Sequence, residues 1–361
     1  MICYVYQKRD EQMHPCRISV IIPVFNSVDF LPECMYSIEA QSFSDFEVIF
    51  SDDGSTDGSA ALCDHFAEKY PSVSAIHLPN SGPGAARNAA LSAAAGEYIF
   101  FMDSDDVIHP DALYRLLNMA EKTGSDLTVG DFMQTTPDQA NLRENRWLAP
   151  EDLFFDHDQL MDAVEDYLRA PRGASFFTNV WGKLYRHDII KKHNLAFDPN
   201  LKTWEDIVFN FQFLRVANSM SYLHDQLYDY RLHPDKPTCG SQLLNFPFGH
   251  RRVLAVIRDI LTDAGREKKQ VETMCLHADV YFAVKNLIVC YVLRSRGKIP
   301  AGFDMKTFIR HFTEDPDLMR ALETYVPGEN EDTRIPLFLK QKQVEQVDSA
   351  CINKVKSLGI G

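Results

Sequence analysis

The sequence has no closely paired cysteines, no unbroken apolar run of membrane-spanning length and no excess of positive charge. Each absence removes a class of protein. The eight cysteines, at positions 3, 16, 34, 63, 239, 275, 290 and 351, show none of the spacings of zinc or thiol–disulfide motifs. Cys34, Cys63 and Cys290 fall in apolar helical patterns, where buried free thiols are expected, and a reducing cytoplasm follows as the expected compartment. The net charge of −14 argues against a nucleic-acid partner, whose phosphates need a basic surface. It leaves room for a single nucleotide in a local pocket. Met1–Cys16 is polar and of mixed charge after its first few residues, without a signal-peptide h-region. The most apolar stretch, Ala278–Leu293, is broken by Asp279, Lys285 and Asn286 and is expected to be a packed helix. No repeat and no low-complexity tract is present.

What is present is a regular alternation. With 361 residues, 45% of them hydrophobic and 24% charged, the chain can build a sizeable core and more than one domain. Strand-like runs at Ile18–Phe25, Phe46–Phe50, Val73–Leu78, Glu97–Met102 and Asp126–Val129 alternate with helical patterns at Asp29–Gln41, Ser59–Tyr70, Gly82–Ala95 and Pro110–Thr123. Such alternation predicts an α/β fold, a mostly parallel sheet with helices on both faces. Right-handed crossovers then put Pro23–Asn26, Asp52–Asp53 and Asp103–Asp106 along one sheet edge. Beyond Gly130 the pattern changes. Gln134–Pro150 reads as a polar loop, Asp158–Arg169 and Trp204–Ala217 as helices, and the chain after Pro237 as mainly helical. The division expected is an extension at 1–16, a domain at 17–236 with halves 17–130 and 131–236, and a helical region at 237–361.

Four clusters carry chemistry. Tyr98–Asp106 is an apolar run ending in three carboxylates. Asp103 and Asp105, two residues apart, share a face while the chain stays extended, and paired hard oxygens suit Mg²⁺ or Mn²⁺ with a phosphate-bearing substrate. Ser51–Ser59 is rich in turn formers, and Asp53 there could accept from a nucleobase or ribose; the same residues also make an ordinary turn and cap. Ser81-Gly-Pro-Gly-Ala-Ala-Arg87-Asn88 puts a glycine-bearing loop at a helix start, a place suited to anions, with Arg87 one turn in. Glu205 and Asp206 stand where a helix begins. They serve either as dipole-favoured caps or, for a nearby hydroxyl, as a general base.

Taken together with Trp181-Gly-Lys-Leu-Tyr-Arg186, Glu205–Phe209 and Tyr228-Asp-Tyr-Arg231, these segments resemble the family 2 glycosyltransferases of the GT-A fold, in order, across about Arg17–His233. The resemblance implies a nucleotide-sugar donor, a UDP-sugar being commonest, a divalent metal and inversion at the anomeric carbon. It implies that Pro23, Phe25, Asp53, Arg87 and Ser104 surround the nucleotide, and that Asp103 and Asp105 bind the metal, Asp105 more directly. Asp206 is implied as the catalytic base, with Glu205 positioning it or the acceptor. Phe25 stands where the family often has tyrosine, and His233 and Lys236 stand in a loop that in the family often carries serine near the phosphates. A glycan or lipid-linked acceptor of bacterial cell-surface assembly is the expected partner. That acceptor would bring a cytoplasmic protein to the inner face of the membrane, where Arg294, Arg296 and Lys298 could touch it. A sugar-nucleotide nucleotidyltransferase would show a glycine- and arginine-bearing loop after the first strand, and Pro-Val-Phe-Asn stands there instead. A noncatalytic nucleotide-sugar-binding scaffold would lose the metal carboxylates or the base, and all are present.

Overall fold

The computed structural model describes residues 5–6, 16–136, 143–145, 149–169, 171, 176–201, 203–232, 244, 247–328 and 331–359. His233, Lys236 and nearly all of Pro237–Asn245 lie outside these residues. The chain forms two compact units. The first holds Met1–Leu160, Ala174–Leu201 and Glu205–Pro234; the second holds Met161–Gly173, Lys202–Trp204 and Asp235–Gly361.

The first unit is built on one sheet. Its strands are β1 (Val5–Tyr6), β2 (Ile18–Val24), β3 (Phe46–Asp52), β4 (Val73–His77), β5 (Tyr98–Phe101), β6 (Val107–Ile108), β7 (Leu127–Thr135), β8 (Arg143–Asn145), β9 (Leu153–Asp156), β10 (Lys183–Arg186) and β11 (Ser219–Arg231). Between them in sequence run α1 (Leu31–Glu39), α2 (Ser59–Lys69), α3 (Pro83–Ala93), α4 (Ala112–Thr123), α5 (His157–Arg169, which from Met161 belongs to the second unit), α6 (His187–Lys192) and α7 (Glu205–Leu214). Spatially the strands follow the order β1-β4-β3-β2-β5-β10-β7-β11-β6, with β8 on β7 and β9 on β11. The inner set β4-β3-β2-β5 is parallel throughout. Strands added later, β10, β6, β8 and β9, pair antiparallel, so the whole sheet is mixed.

The parallel set forms because its strands are apolar on both faces. Six of the seven residues of β2 are buried, as suits a strand covered by helices on either side. Side-chain alternation along β5 sends Phe100 one way and Phe101 the other. Phe100 enters a core with Leu31, Ile38, Phe50, Leu113 and Leu116. Phe101 meets Tyr185, Phe197 and Phe209 edge-on, at centroid distances of 5.6, 5.4 and 5.6 Å. The Phe209 contact packs α7 on β5, so the first turn of α7 arrives near the carboxyl end of that strand.

Three expectations are corrected. Arg143–Asn145, expected in a polar loop, is strand β8, because it pairs antiparallel with Phe132–Gln134 at the end of β7. The helix expected from Trp204 starts at Glu205; Trp204 itself has a φ of 72°, outside helical space. Extended backbone does not continue through Asp103–Asp106: β5 stops at Phe101, and Asp106 N–H donates to Asp103 O at 3.2 Å in a turn.

The second unit contains α8 (His250–Asp263), α9 (Lys268–Ser295), α10 (Met305–Glu314), α11 (Pro316–Thr324), α12 (Arg334–Lys340) and α13 (Val344–Ser357). Its core joins Val280, Leu287 and Cys290 of α9 to Phe308, Phe312, Leu339 and Val347. By length and composition α9 could cross a membrane, and 61% of its most apolar window is buried inside the protein. Cys34, Cys63 and Cys290 are buried free thiols.

Candidate functional site

The loops at the carboxyl ends of β2, β3 and β5 are laced together. Asn26, at a φ of 48°, receives and gives across the gap: its N–H donates to Ser55 Oγ at 3.0 Å, and its Oδ1 accepts from Thr56 N–H at 2.9 Å. Ser27 N–H donates to Ser59 Oγ at 2.8 Å, and Ser104 Oγ donates to Ser27 Oγ at 2.9 Å. Hydrogen bonds thus join the three polar clusters expected at one edge. Pro23 is half-buried and Phe25 presents an exposed ring on the same loop.

Asp53 is buried, and its carboxylate grips the next loop: Oδ1 accepts from Ser81 N–H at 2.6 Å and Oδ2 from Gly82 N–H at 2.8 Å. Gly54 permits the approach. Its φ is +75°, and a Cβ there would lie 2.9 Å from Asn80 N. Asp53 therefore shapes the start of α3, whatever it also offers to a nucleotide.

One turn into α3, Arg87 is the centre of the site. Its guanidinium is 5% exposed. Nη2 donates to Asp103 Oδ1 at 3.0 Å, Nη1 donates to Asp206 Oδ1 at 2.8 Å, and Glu205 Oε1 lies 3.6 Å from Nη1. Its Nε finds no acceptor among the described residues. Asn88 fixes α3 on the segment before α7 by exchanging two hydrogen bonds of 2.8 Å with the backbone of Phe197. Gly84 lets the elements approach, since a Cβ there would stand 3.2 Å from Phe197 Cβ and 3.6 Å from Glu205 Cγ.

One buried cation thus faces three carboxylates, and the electrostatics follow. Burial alone would lower the pKa of Arg87, but Asp206, Asp103 and Glu205 more than offset it and the guanidinium is held charged. Asp103 is pushed up to about 6, by burial first and by Asp105 and Asp206 next, against the pull of Arg87. Asp206 is pushed up to about 6 by burial and by Glu205, with Arg87 and Lys183 opposing. Crowded carboxylates of this kind are a donor set that a divalent cation would relieve, so Asp103 and Asp105 fit Mg²⁺ or Mn²⁺.

The aspartate turn is held from β11, in residues whose roles the sequence did not reveal. Tyr228 O–H donates to Asp106 Oδ2 at 2.6 Å and accepts from Asp103 N–H at 3.1 Å. Arg231 N–H donates to Asp106 Oδ1 at 2.8 Å, while its side chain donates to Asp105 O and to Glu33. The fully buried Asp106 is pushed well up by burial and by its neighbours Asp105 and Asp103. It serves the turn's architecture. The motif Tyr228-Asp-Tyr-Arg231 was visible in the sequence; that it clasps the turn required the sheet order. A separate cluster, Asp152, His224 and Asp225, also brings ligand-type atoms together, but there Asp225 pairs with Arg115 and His224 with Asp152.

Residues 19–193 match the model described as Glycosyl transferase family 2. The chain is 31% identical over 221 residues to the uncharacterised glycosyltransferase EpsJ of Bacillus subtilis (strain 168), covering 61% of this chain and 62% of that one. It is 33% identical over 218 residues to a poly(ribitol-phosphate) beta-glucosyltransferase of Bacillus spizizenii, covering 59% and 32%. The match thus spans less than two thirds of these relatives' own lengths. The crystal structure of S. aureus TarS 1–349 in complex with UDP superposes with a TM-score of 0.64 at 20% identity, over 95% of this chain and 92% of that one. That likeness is one of fold.

Proposed function

We propose that this chain, whose residues 19–193 match glycosyl transferase family 2, is an inverting glycosyltransferase of that family that moves a sugar from a nucleoside-diphosphate sugar, a UDP-sugar foremost, to an acceptor hydroxyl. The observation that carries this reading is the double ion pair of Arg87, which ties Asp103 at the end of β5 to Asp206 at the start of α7. It brings a phosphate-and-metal end and a proton-accepting end into one constellation.

In this reading Asp103 and Asp105 would hold Mn²⁺ or Mg²⁺, which supplies positive charge for the departing diphosphate. The exposed ring of Phe25 offers a stacking face to the nucleobase, with Pro23, Asp53 and Ser104 lining the same loops. Arg87 adds a fixed cation on the leaving-group side. Asp206 takes the proton of the acceptor hydroxyl as that oxygen bonds to the anomeric carbon. The bond from this carbon to the diphosphate oxygen breaks on the opposite face, so configuration inverts. A carboxylate pushed up to about 6 suits a base working near neutral pH. Glu205, beside Arg87, positions Asp206 and the acceptor.

Support for the donor comes from the crystal structures of TarS in complex with UDP and with UDP-GlcNAc. Two relatives are named as transferring sugars to poly(ribitol-phosphate), which supports an acceptor in bacterial cell-surface glycan assembly. A cytoplasmic enzyme meeting a lipid-linked or polymeric acceptor at the inner membrane face fits this reading.

A thermal-shift panel of UDP, GDP, CMP and dTDP, each with and without Mn²⁺ or Mg²⁺, tests it. A specific ligand raises the melting temperature by mass action. Stabilisation by one nucleoside diphosphate, only with metal, is expected; stabilisation by none overturns the donor reading. Calorimetry on Asp105→Ala is expected to find no metal-dependent nucleotide binding, and undiminished binding there would move the metal elsewhere.

A further inference from the structure

We propose that Lys183 is a positioning residue for Asp206: it fixes the main-chain loop that grips this carboxylate and sets a second positive charge beside it. The proposal rests on the reading of Asp206 as the base, and it concerns a residue to which neither the sequence motifs nor the relatives give a role.

The geometry starts from an odd placement. Lys183 lies on β10, between strands β5 and β7, and is 1% exposed. A lysine in a sheet interior is costly unless its ammonium is satisfied. Lys183 Nζ donates to Asn179 O at 2.6 Å, to Asn179 Oδ1, and towards Trp181 O at 3.4 Å. These carbonyls stand on either side of Val180, and Val180 N–H donates to the Asp206 carboxylate. The lysine therefore clamps the two residues flanking the amide that holds the base.

The same loop is held a second time by α7. Asn210, four residues after Asp206 and so on the same helix face, donates Nδ2 to Phe177 O at 2.8 Å and to Asn179 O at 2.5 Å. Its Oδ1 accepts from Tyr185 O–H at 2.6 Å. Ordinary core packing would fill this volume with an apolar side chain. Here a chain of polar groups converges on one amide.

The charged and titratable groups around Asp206 include Arg87 from α3, Asp103 after β5, Glu205 on α7, and Lys183 and Tyr185 from β10. Glu205 raises its proton affinity, while Arg87 and Lys183 lower it. Burial pulls the ammonium of Lys183 down to about 7, with Asp206 holding it up. When Asp206 gains the acceptor's proton, the two groups lose their mutual attraction, and Lys183 binds its own proton less tightly.

Carboxyl ¹³C NMR on aspartate-labelled protein, without ligand, tests this independently of turnover. The Asp206 resonance is assigned by its loss in Asp206→Asn and titrated in wild type, Lys183→Met and Lys183→Gln. A rise of the Asp206 midpoint by about one pH unit in both variants is expected. An unchanged midpoint in folded variants overturns the proposal and leaves Lys183 a structural filler. If neither variant folds, Asn179→Ala keeps the charge and loosens the loop. Faster hydrogen exchange at the Val180 amide is then expected, and unchanged exchange overturns the clamp. In parallel, hydrolysis of UDP-GlcNAc is expected to lose about 10-fold in kcat or more in Lys183→Gln, with KM held. Absence of nucleotide binding and hydrolysis in wild type would sink the transferase reading, while the NMR shift would still decide the role of Lys183.

Discussion

Two buried charge clusters, one in each unit, differ in a way that separates function from architecture. In the first unit a single guanidinium, Arg87, faces Asp103, Asp206 and Glu205, and the carboxylates of Asp103 and Asp206 are pushed up to about 6. In the second unit Asp279 accepts from His250 Nε2 at 2.8 Å and from Arg251 Nε at 2.9 Å, and Arg251 also pairs with Asp315 at 2.7 Å. There burial would raise both carboxyls, but the hydrogen bonds from His250 and Arg251 win, and Asp279 and Asp315 sit below the ordinary range. In the second cluster hydrogen bonds from His250 and Arg251 satisfy both carboxylates and hold them ionised. The first carries more negative charge than it can neutralise, which is a configuration awaiting a cation or a proton. Imbalance, more than burial, marks the site.

Breaking the first cluster should give the largest effects. Asp206→Asn keeps the shape, still accepts from Arg87 through its amide oxygen, and cannot take a proton. Transfer should fall about 10²- to 10⁴-fold, with UDP binding in the presence of Mn²⁺ retained; full turnover would shift the base to Glu205. Arg87→Met removes the cation that faces all three acids, and breaking such a buried pair costs about 3–5 kcal/mol. The pH sign is specific. Asp103 and Asp206 titrate near 6 in the folded protein, above the ordinary range of an unfolded aspartate, so their ionisation disfavours the native state as pH rises through 6. Without Arg87 both rise further. Urea unfolding should therefore show a larger deficit at pH 8 than at pH 5.5, and a deficit equal at both would contradict the charge imbalance.

The first cluster was legible in the sequence and the second was not. Asp103, Asp105, Arg87, Glu205 and Asp206 stand at the ends of strands and starts of helices, where β–α alternation alone predicts convergence. The sequence could not show that Arg87 joins Asp103 and Asp206 across 119 residues of chain, because that contact depends on α7 packing over β5. Lys183 was hidden for a related reason: in an alternating strand a lysine reads as solvent-facing, and only the insertion of β10 between β5 and β7 buries it. Strands β6, β9 and β11 escaped because their partners come from distant parts of the chain and their runs are short or interrupted by charge. In the second unit His250, Arg251, Asp279 and Asp315 sit on two helices and a helix cap, with no motif to tie them together.

Breaking the second cluster should cost stability and leave ligand binding intact. Asp279→Asn removes a charged acceptor of three hydrogen bonds and turns one oxygen into a donor that faces Arg251. A loss of about 2 kcal/mol is expected, read by urea unfolding, with UDP affinity in Mn²⁺ unchanged. Its pH dependence runs opposite to that of Arg87→Met. A depressed carboxylate contributes stability above its unfolded pKa of about 4 and loses it as pH falls through the lower folded value. The gap between wild type and Asp279→Asn should close on acidification below about pH 4.

The smallest effect separates charge from capping within the balanced cluster. Asp315 precedes α11, and its Oδ1 accepts from Leu318 N–H at 2.7 Å while both oxygens face Arg251. Asp315→Ala removes cap and ion pair together. The cap is worth about 1 kcal/mol, and the pair adds little because Arg251 keeps Asp279 and part of its guanidinium reaches solvent. Asp315→Asn keeps the capping oxygen and discards the charge. If the cluster is as well balanced as its depressed carboxylates indicate, most of the alanine penalty comes from the lost cap, and asparagine should restore more than half of it in thermal unfolding. An asparagine variant as unstable as alanine would mean that the charge on Asp315 is needed to neutralise Arg251. The second cluster would then depend on that charge as well as on its hydrogen bonds.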